Sequence, residues 1–507
     1  MPTHLEEITA AVQALPEIYQ PIFGYELQGA KPVRNCEDRL ADVKKIYDLL
    51  SAELGRPLRV LDLGCAQGFF SLYAAKWGGV VTGLDFNKAN IDLCRLLASE
   101  NPDFKANFVC TRIEDFLTTV KADEYDLVLC FSVLHLMTPS IGFQAAQKML
   151  ADLAEKVEIG LFEFALRIEF PENNLPEDYR EFMQGYAFIR GIACHEISEG
   201  SGVTRPICFA SNKYTWFENL GLLKIDKVIV SPFETRKTCY FCGDKFVKVF
   251  TINNPRDLIN ADRENQFLEI FGGKNGLPIR YGTLVEQDDE IRRIIIVRDA
   301  VRGIVLKDKL ERGDKIDCWD IIRQLLEWQL LFEQYGLDYV DLHLYNFIYS
   351  DDGRIYPIDY EYIRFLHELT RYGHALVKSN FLKFMVWIFE PWLYSDITAL
   401  NSFRSHLLDL KNHLTPWQYE QISAITESEK FFERLYEILF APEKLNQGYT
   451  MAEAEFLAME RYTWLTDKKI SEYEARLKKI EEYLTVSVPQ LLKRIEQLEK
   501  IIEERLK

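Results

Sequence analysis

The 507-residue chain has no apolar run approaching the roughly 18 residues that a bilayer span requires. Its N-terminus lacks the basic-then-apolar pattern of a secretory signal. A membrane-spanning or exported protein is therefore not expected. Positive charge is also scarce. Against 78 Asp and Glu stand 60 Lys and Arg, a net charge of −18. A nucleic-acid phosphate backbone selects the opposite sign, which excludes a general nucleic-acid binder. Ten cysteines show no repeated spacing, and Cys239 and Cys242 form a CxxC that no second pair completes. Neither a disulfide framework nor a zinc site is expected, and reduced thiols place the chain in the cytoplasm. No internal repeat of about 20–50 residues is present, so no solenoid is expected. What remains is ample core material. Hydrophobic residues make up 48% and aromatics 13%, which argues against global disorder. The length suits about two to four domains.

Three blocks follow one another. Over residues 40–165 helical spacing ("DRLADVKKIYDLLSAEL") alternates with strands ("LRVLDLGCAQG", "GVVTGLDF", "YDLVLCFSVLHL"). That alternation predicts a parallel sheet in an α/β domain. At 223–250 the short strands "KIDKVIVSP", "KTCYFC" and "DKFVKVF" crowd together and predict an antiparallel sheet. From about 317 helices dominate, and from about 465 the chain is charged, helical and nearly free of Gly. The expected domains are 1–222, 223–450 and 451–507.

Gly64 and Gly68 follow the strand Val60–Leu63. Lacking a Cβ, they let the backbone turn tightly and approach a ligand beyond the strand's carboxyl end. Asp85 ends the next strand, where a carboxylate can accept ribose hydroxyls. Asp62 lies inside the first strand and could orient the loop or a ligand amine. Glycines alone occur in any Rossmann-like turn, but the combined pattern is more specific. "VLDLGCAQG" resembles the first motif of the class I S-adenosylmethionine-dependent methyltransferases, and "GLDF" their acidic second motif. "TRIEDF" resembles the segment beside the adenine, and "EYDLVLCFSVLHL" the fourth strand with its active-site edge. His135 ends that strand in this reading. It is a candidate base or acceptor contact, and a packed or capping histidine accounts for it equally well.

The stretch "YVDLHLYNFIYSDDGRIYPIDYEYI" at 339–363 reads strand, turn, strand, with the turn at "DDG". Asn346 and Asp359 then stand at the bases of paired strands, with Asp341 on the preceding loop. Two carboxylates and an amide suit Mg²⁺, a hard ion that takes oxygen ligands. Asp and Asn also stabilise turns without any ion. The intervals decide between these readings. Asp, Asn five later and Asp thirteen after that match the catalytic loop and metal motif of kinases. Asp341 is then the catalytic base, and Asn346 and Asp359 hold the metal. Lys248 in "KFVKVF" takes the place of the phosphate-holding lysine. Glu264 in the helical "RENQFLEIF" is its expected partner, with Glu269 the runner-up and a surface glutamate the bland alternative. "RRIIIVRDAVRG" resembles the strand and hinge on which adenine docks, making Arg298 and Ala300 nucleotide contacts. "DLHLYN" and "IDYEY" resemble aminoglycoside and choline kinases, with His343 in place of the protein-kinase lysine and Tyr339 where many kinases have His. "SPFETRK" has no glycine, so the phosphate-covering loop is irregular. Arg236 and Lys237 there are open to phosphate contact or to simple exposure.

A kinase product explains the pairing of the two halves. A phosphate monoester carries about −1.5 to −2 charges at neutral pH. It is already a nucleophile toward a sulfonium methyl group and needs alignment more than a base. Across the whole chain, "LPEIYQPIFG", "NCEDRL", "VLDLGCAQGFFSL", "ENPDF" and "TRPICFASN" resemble the bifunctional kinase–methyltransferases that terminate polymannose O-antigen chains. The resemblance implies ATP, Mg²⁺ and S-adenosylmethionine as cofactors. It implies phosphorylation of the non-reducing terminal sugar, then methylation of that phosphate. It also implies that Tyr19, Gln20 and Arg39 close over S-adenosylmethionine. Gly64, Phe86, Asn87, Asn90, Ile91, Thr111, Arg112, Ile113, Glu114 and Phe131 would line the same pocket. Composition alone reads Tyr19 and Phe23 as amphipathic-helix core and Arg39 as a solvated charge. Two other functions are compatible with the residues. One is a kinase and a methyltransferase acting on unrelated small molecules. The other is a coiled-coil scaffold that recruits a polymerase.

The last block reads as a coiled coil, with a single amphipathic helix packed on the kinase as the alternative. Ile470, Tyr473, Leu477, Ile480 and Leu484 recur at three- and four-residue steps, as do Val488, Leu491, Ile495, Leu498 and Ile502. These are coiled-coil seams offset by a four-residue stutter, with Pro489 at the join. β-Branched residues at a with Leu at d favour two strands, whereas the resemblance implies a trimer, the state expected here. The seam is still running at Lys507, which suggests a longer coil. A mannosyltransferase or polymerase partner and a peripheral position at the inner membrane are expected on the same resemblance.

Overall fold

The computed structural model describes residues 4–25, 31–165, 167, 169–170, 173, 175–197, 201–230, 237–287, 291–366, 369, 371–394 and 403–441. The expected coil at 451–507, its two seams and Arg236 lie outside the described residues. Those described fall into two compact units, the residues of 1–253 with 281–300 and those of 254–280 with 301–507. No helix among them is long and apolar enough to cross a membrane.

The first unit opens with helices α1 (His4–Gln13) and α2 (Glu37–Leu54). Strands and helices then alternate as the sequence predicts. They are β1 (Arg59–Leu63), α3 (Phe69–Lys76), β2 (Val80–Asp85), α4 (Lys88–Ser99), β3 (Lys105–Cys110), α5 (Ile113–Leu117), β4 (Tyr125–Phe131), α6 (Leu134–Ile141), α7 (Phe143–Ala154) and β5 (Val157–Glu163). Strands β6 (Phe188–Glu196) and β7 (Thr204–Ser211) complete a seven-stranded sheet of order β3-β2-β1-β4-β5-β7-β6. The pairings up to β4–β5 are parallel, and β7 joins β5 antiparallel. Successive side chains of a strand face opposite ways, and here both faces are covered. Leu61, Leu63, Val128 and Cys130 enter one core, while Val60, Leu127 and Leu129 enter the other. The strand order reverses beside β1, and the crevice there is where open α/β sheets bind ligands.

A hairpin of β8 (Tyr214–Phe217) and β9 (Gly221–Lys224) follows, so position 222 falls within a strand. The second sheet is built from β10 (Lys227–Val230), β11 (Lys237–Cys242), β12 (Lys245–Thr251), β13 (Arg280–Gln287) and β14 (Ile291–Asp299), in the order β10-β11-β12-β14-β13. The ladders β10–β11, β11–β12 and β12–β14 are antiparallel, as expected. Tyr240, Cys242, Val247, Val249, Ile295 and Val297 belong to the same apolar core as Val60, Leu127 and Leu129. The Tyr240 hydroxyl donates to the Ala187 carbonyl at 2.5 Å, and Glu286 accepts from both Arg180 and Arg293. The two sheets of this unit therefore share one interior.

The second unit begins with α8 (Pro255–Phe271). Its start is written in the sequence. The Asn254 side chain accepts from the backbone of Arg256 and Asp257, and Pro255 occupies the first turn. β15 (Ile304–Val305), α9 (Leu306–Glu311) and α10 (Cys318–Gln334) follow. Next come β16 (Leu337–Tyr339), β17 (Phe347–Tyr349), β18 (Ile355–Pro357) and β19 (Ile363–Phe365). The unit closes with α11 (Arg371–Phe389), α12 (Phe403–Asp409), α13 (Pro416–Ala424) and α14 (Phe431–Phe440). β17 and β18 pair antiparallel, the hairpin expected around "DDG".

Candidate active sites

The loop after β1 is shaped by three residues of positive φ, namely Gly64 at 76°, Ala66 at 46° and Gly68 at 76°. A Cβ on Gly64 would lie 2.5 Å from a methyl of Val133, so only glycine fits the turn. Asp85 closes the other wall. Its carboxylate accepts the Ala66 amide at 3.0 Å and the Asn87 amide at 2.7 Å. Burial raises its pKa, and those hydrogen bonds oppose the shift. Phe86 projects beside it with 78% of its surface exposed, a free apolar face large enough to cover a purine ring. The Thr111 amide donates to the Asp85 carbonyl at 3.0 Å.

Gln67 ties the N-terminal segment onto this loop. Its side-chain oxygen accepts the amides of Tyr19 and Gln20 at 3.1 and 2.9 Å, and its amide donates to Asn90 at 2.8 Å. The Gln20 side chain accepts the Phe69 amide in return. Tyr19 is thus in irregular backbone after α1 and not in a helix, whereas Phe23 is core, packed edge-on to Tyr73 and Phe104. Tyr19, Gln20, Asp85, Asn90 and Thr111 are linked by these contacts to the loop that Gly64 and Gly68 turn. Asn87 caps α4, and Phe131 packs edge-on to Phe70. Ile91 and Ile113 are buried in apolar clusters, and Arg112 pairs with Glu114 at the surface. Asp62 is buried under the loop, accepts the Ser71 hydroxyl at 2.6 Å, and is pushed by burial to a pKa of about 6. A tight glycine turn, a buried acid at the second strand and an exposed aromatic beside it form a cradle that fits S-adenosylmethionine.

Arg39 is not a solvated charge. It is buried, and its Nε donates to Glu163 at 2.6 Å while other nitrogens reach Asp38, the Asn35 carbonyl and the Glu196 carbonyl. Glu163 also accepts the Ser132 hydroxyl. His135 does not end β4. That strand stops at Phe131, Ser132 turns the chain with φ 57°, and His135 lies in the first turn of α6.

In the second unit Asn346 ends a short 3-10 turn directly before β17, and its carbonyl accepts the Ile358 amide at 3.0 Å. This bond sets the segment of Asp359 beside that of Asp341. The Asn346 side chain donates to the Asp341 carboxylate at 2.8 Å and to its carbonyl at 3.1 Å. His343 Nε2 lies 3.5 Å from the other carboxylate oxygen. Asp359 groups with Glu264 and Glu361, one oxygen of each lying within 4.8 Å of the others. Three carboxylate oxygens this close together are a donor set that a hard divalent ion takes. Between these acids Tyr360 is wholly buried, bonded to the Pro357 carbonyl and stacked on Phe267 of α8 at 4.8 Å. Glu269 meets Arg280 at 3.5 Å. In the first unit Lys248 is buried on β12, 4.8 Å from the Phe250 ring centre, and Arg298 covers Phe246 at 4.3 Å. The Ala300 amide donates to the Asp244 carbonyl, and Lys237 opens β11.

Sequence reading passed over Gln67, Ser132, Glu163 and Arg205, and took Glu361 only as a departure from the kinase pattern. Gln67 and Glu361 stand inside the two motifs, where a polar residue between glycines or after a metal-binding Asp is a usable signal. Glu163 lies 124 residues from Arg39 and carries none.

A family model described as a methyltransferase domain matches residues 60–156. The O-antigen chain terminator bifunctional methyltransferase/kinase WbdD of Escherichia coli is 30% identical over 437 residues. That match covers 81% of this chain and 59% of the relative, so the chain spans less than two thirds of that relative's length. A ubiquinone biosynthesis O-methyltransferase of Histophilus somni is 32% identical over 96 residues, 18% of this chain and 40% of that one. Among solved structures, a WbdD crystal structure is 27% identical with a TM-score of 0.69, covering 89% of this chain and 99% of its own. A low-resolution WbdD structure with its C-terminal bundle ordered gives 0.73 at 27% identity, covering 97% and 100%. Over most of its length the chain is homologous to WbdD, the O-antigen chain terminator bifunctional methyltransferase/kinase.

Proposed function

We propose that this chain terminates O-antigen polysaccharide by two reactions. One part phosphorylates the non-reducing terminal sugar, a mannose on the resemblance, and the other methylates that phosphate. The observation that carries the reading is that one chain, alignable with WbdD over 97% of its length, holds both the Asp341–Asn346 pair and the Gly64–Asp85 cradle. Asp341 accepts the sugar hydroxyl's proton, and Asn346 fixes its carboxylate. Asp359, with Glu264 and Glu361 beside it and Asn346 near, provides the oxygen ligands for Mg²⁺, which would neutralise phosphate charge. Lys248, Arg298 and Ala300 serve ATP. Asp85 takes the ribose of S-adenosylmethionine, Phe86 covers its adenine, and the sulfonium supplies the methyl group. A coil over 451–507, trimeric in this reading, holds the enzyme near a membrane-bound mannosyltransferase. The test is to incubate the protein with Mg-ATP, S-adenosylmethionine and short synthetic mannosides and read product masses. A phosphate adduct followed by a methyl phosphate adduct is expected. A methylated but unphosphorylated glycan overturns the reading.

A further inference from the structure

Among the described residues beside the Gly64–Asp85 cradle, two buried polar atoms have no hydrogen-bond partner. Arg34 is 7% exposed and His135 6% exposed, and both Nη1 of Arg34 and Nδ1 of His135 are unmatched. Arg34 sits 5.5 Å from the ring centre of Tyr19, in the segment that Gln67 holds over the loop. Among the described residues no carboxylate pairs with it. The His135 ring stacks on Phe170 at 4.9 Å, and the Arg205 guanidinium lies 5.9 Å from the centre of that same ring. Arg205 is itself neutralised by Glu169 at 2.8 Å and donates to the Ser132 hydroxyl at 2.9 Å. A buried guanidinium without a counter-ion is costly, so the missing partner is an anion.

We propose that Arg34 and His135 bind the phosphomonoester that accepts the methyl group, with Arg205 and Ser132 lining the same end. The inference rests on the proposed methylation of a phosphate. Arginine is permanently charged and matches phosphate with two parallel donors. Burial, then the Arg205 and Arg34 charges, push the His135 imidazole down to a pKa of about 3. A neutral imidazole can donate a hydrogen bond but does not protonate a monoester whose second pKa is about 6. At neutral pH, above that second pKa, the nucleophile is largely a dianion. One of its oxygens forms the O–CH₃ bond as the S–CH₃ bond of the sulfonium breaks. The dianion becomes a diester monoanion, the sulfonium leaves as a neutral thioether, and no proton moves.

The test is a phosphorus NMR titration of methyl phosphate against the full chain loaded with S-adenosylhomocysteine. The wild type is expected to bind it. Arg34→Gln should weaken binding by about tenfold or more, the worth of a charged hydrogen bond, and Arg34→Lys should restore part of it. S-adenosylhomocysteine affinity, by calorimetry, should fall by much less than methyl phosphate binding in both, since Arg34 meets that pocket only through the ring of Tyr19. Unchanged probe binding in Arg34→Gln overturns the proposal. So does a parallel loss of S-adenosylhomocysteine, which would assign Arg34 to the carboxylate of the methyl donor. If Arg34→Gln fails to fold, His135→Asn takes its place in both measurements: a selective loss of methyl phosphate supports the site, and unchanged probe binding or a parallel loss of S-adenosylhomocysteine overturns it. The titration needs no turnover, which separates the site from the proposed reaction. A wild type that binds methyl phosphate but forms no methyl phosphodiester on a glycan refutes the proposed reaction and leaves the site standing. A wild type that does not bind the probe refutes the site alone.

Discussion

Gly64 holds a turn that no larger residue can hold. Its φ of 76° is left-handed, and a Cβ there would meet Val133 at 2.5 Å. Gly64→Ala is expected to displace Val133 or open the loop at a cost of about 1–3 kcal/mol. The displacement lies against the cradle, so affinity for S-adenosylhomocysteine should fall with it. Calorimetry beside a thermal melt checks this, and normal affinity at an unchanged melting temperature would show that the turn does not serve the ligand. The turn was legible from sequence because Gly64, Gly68 and Asp85 lie within one strand–loop–helix–strand stretch and each obeys a local rule. The Arg39–Glu163 pair was not legible. Composition suggests a solvated arginine, and its partner arrives only when β5 packs into the sheet. His135 was misplaced for a smaller reason. The apolar run "LVLCFSVLHL" continues across the end of β4, and nothing in it marks Ser132 as the left-handed residue that turns strand into helix.

At the scale of elements, β1 and β4 are fastened by one acid. Asp126, near the start of β4, accepts from the Arg59 backbone at 2.8 Å, and its carboxylate meets the guanidinium of Arg56 at 2.7 Å and that of Arg59 at 2.5 Å. Burial pushes its pKa up, but the arginine hydrogen bonds outweigh that and hold it at about 2, below the ordinary 3.8. A depressed carboxylate stabilises the fold above its unfolded pKa and loses that contribution as pH falls through the folded one. Asp126→Asn should therefore lower the melting temperature at pH 7, with a loss of about 2 kcal/mol. The gap between variant and wild type should narrow as pH falls from 3.8 toward 2. A gap that stays constant across that window would mean the arginines do not govern this acid. The parallel part of the sheet followed from alternating helix and strand patterns. The antiparallel β6–β7 edge did not, because its pairing joins β5 to a strand more than forty residues on, with β6 between them in the chain. Nor did sequence show that the second sheet shares a core with the first. Tyr240, Val247 and Ile295 read as ordinary inward strand residues, and no local pattern names what they pack against.

For the whole molecule, the order of the two proposed reactions follows from charge. A sugar hydroxyl needs a base before it can attack a methyl group, whereas a phosphate dianion needs only placement. Beside the cradle lie a buried arginine, Arg34, that no carboxylate among the described residues pairs with, and a histidine held neutral by burial, which supply anion binding more readily than proton removal. Methyl transfer should therefore depend on prior phosphorylation. Asp341→Asn keeps an oxygen for the Asn346 amide but removes the charge that would take the hydroxyl proton, and Asp359→Ala removes one acid of the three-carboxylate cluster. Asp341→Asn is expected to lose phosphorylation by roughly a hundred- to ten-thousand-fold, the usual worth of a positioned base, Asp359→Ala to lose it through the metal site, and both to lose the methylated mass with it. A chemically phosphorylated mannoside should restore methylation in both, because neither acid belongs to the methyl-transfer cradle. Mass spectrometry of both variants and the wild type, each with both acceptors, decides it. Methylation of unphosphorylated glycan by either variant would break the proposed order. Failure of the phosphorylated mannoside to accept a methyl group, with wild type as well as variants, would mean that the phosphate is not the acceptor.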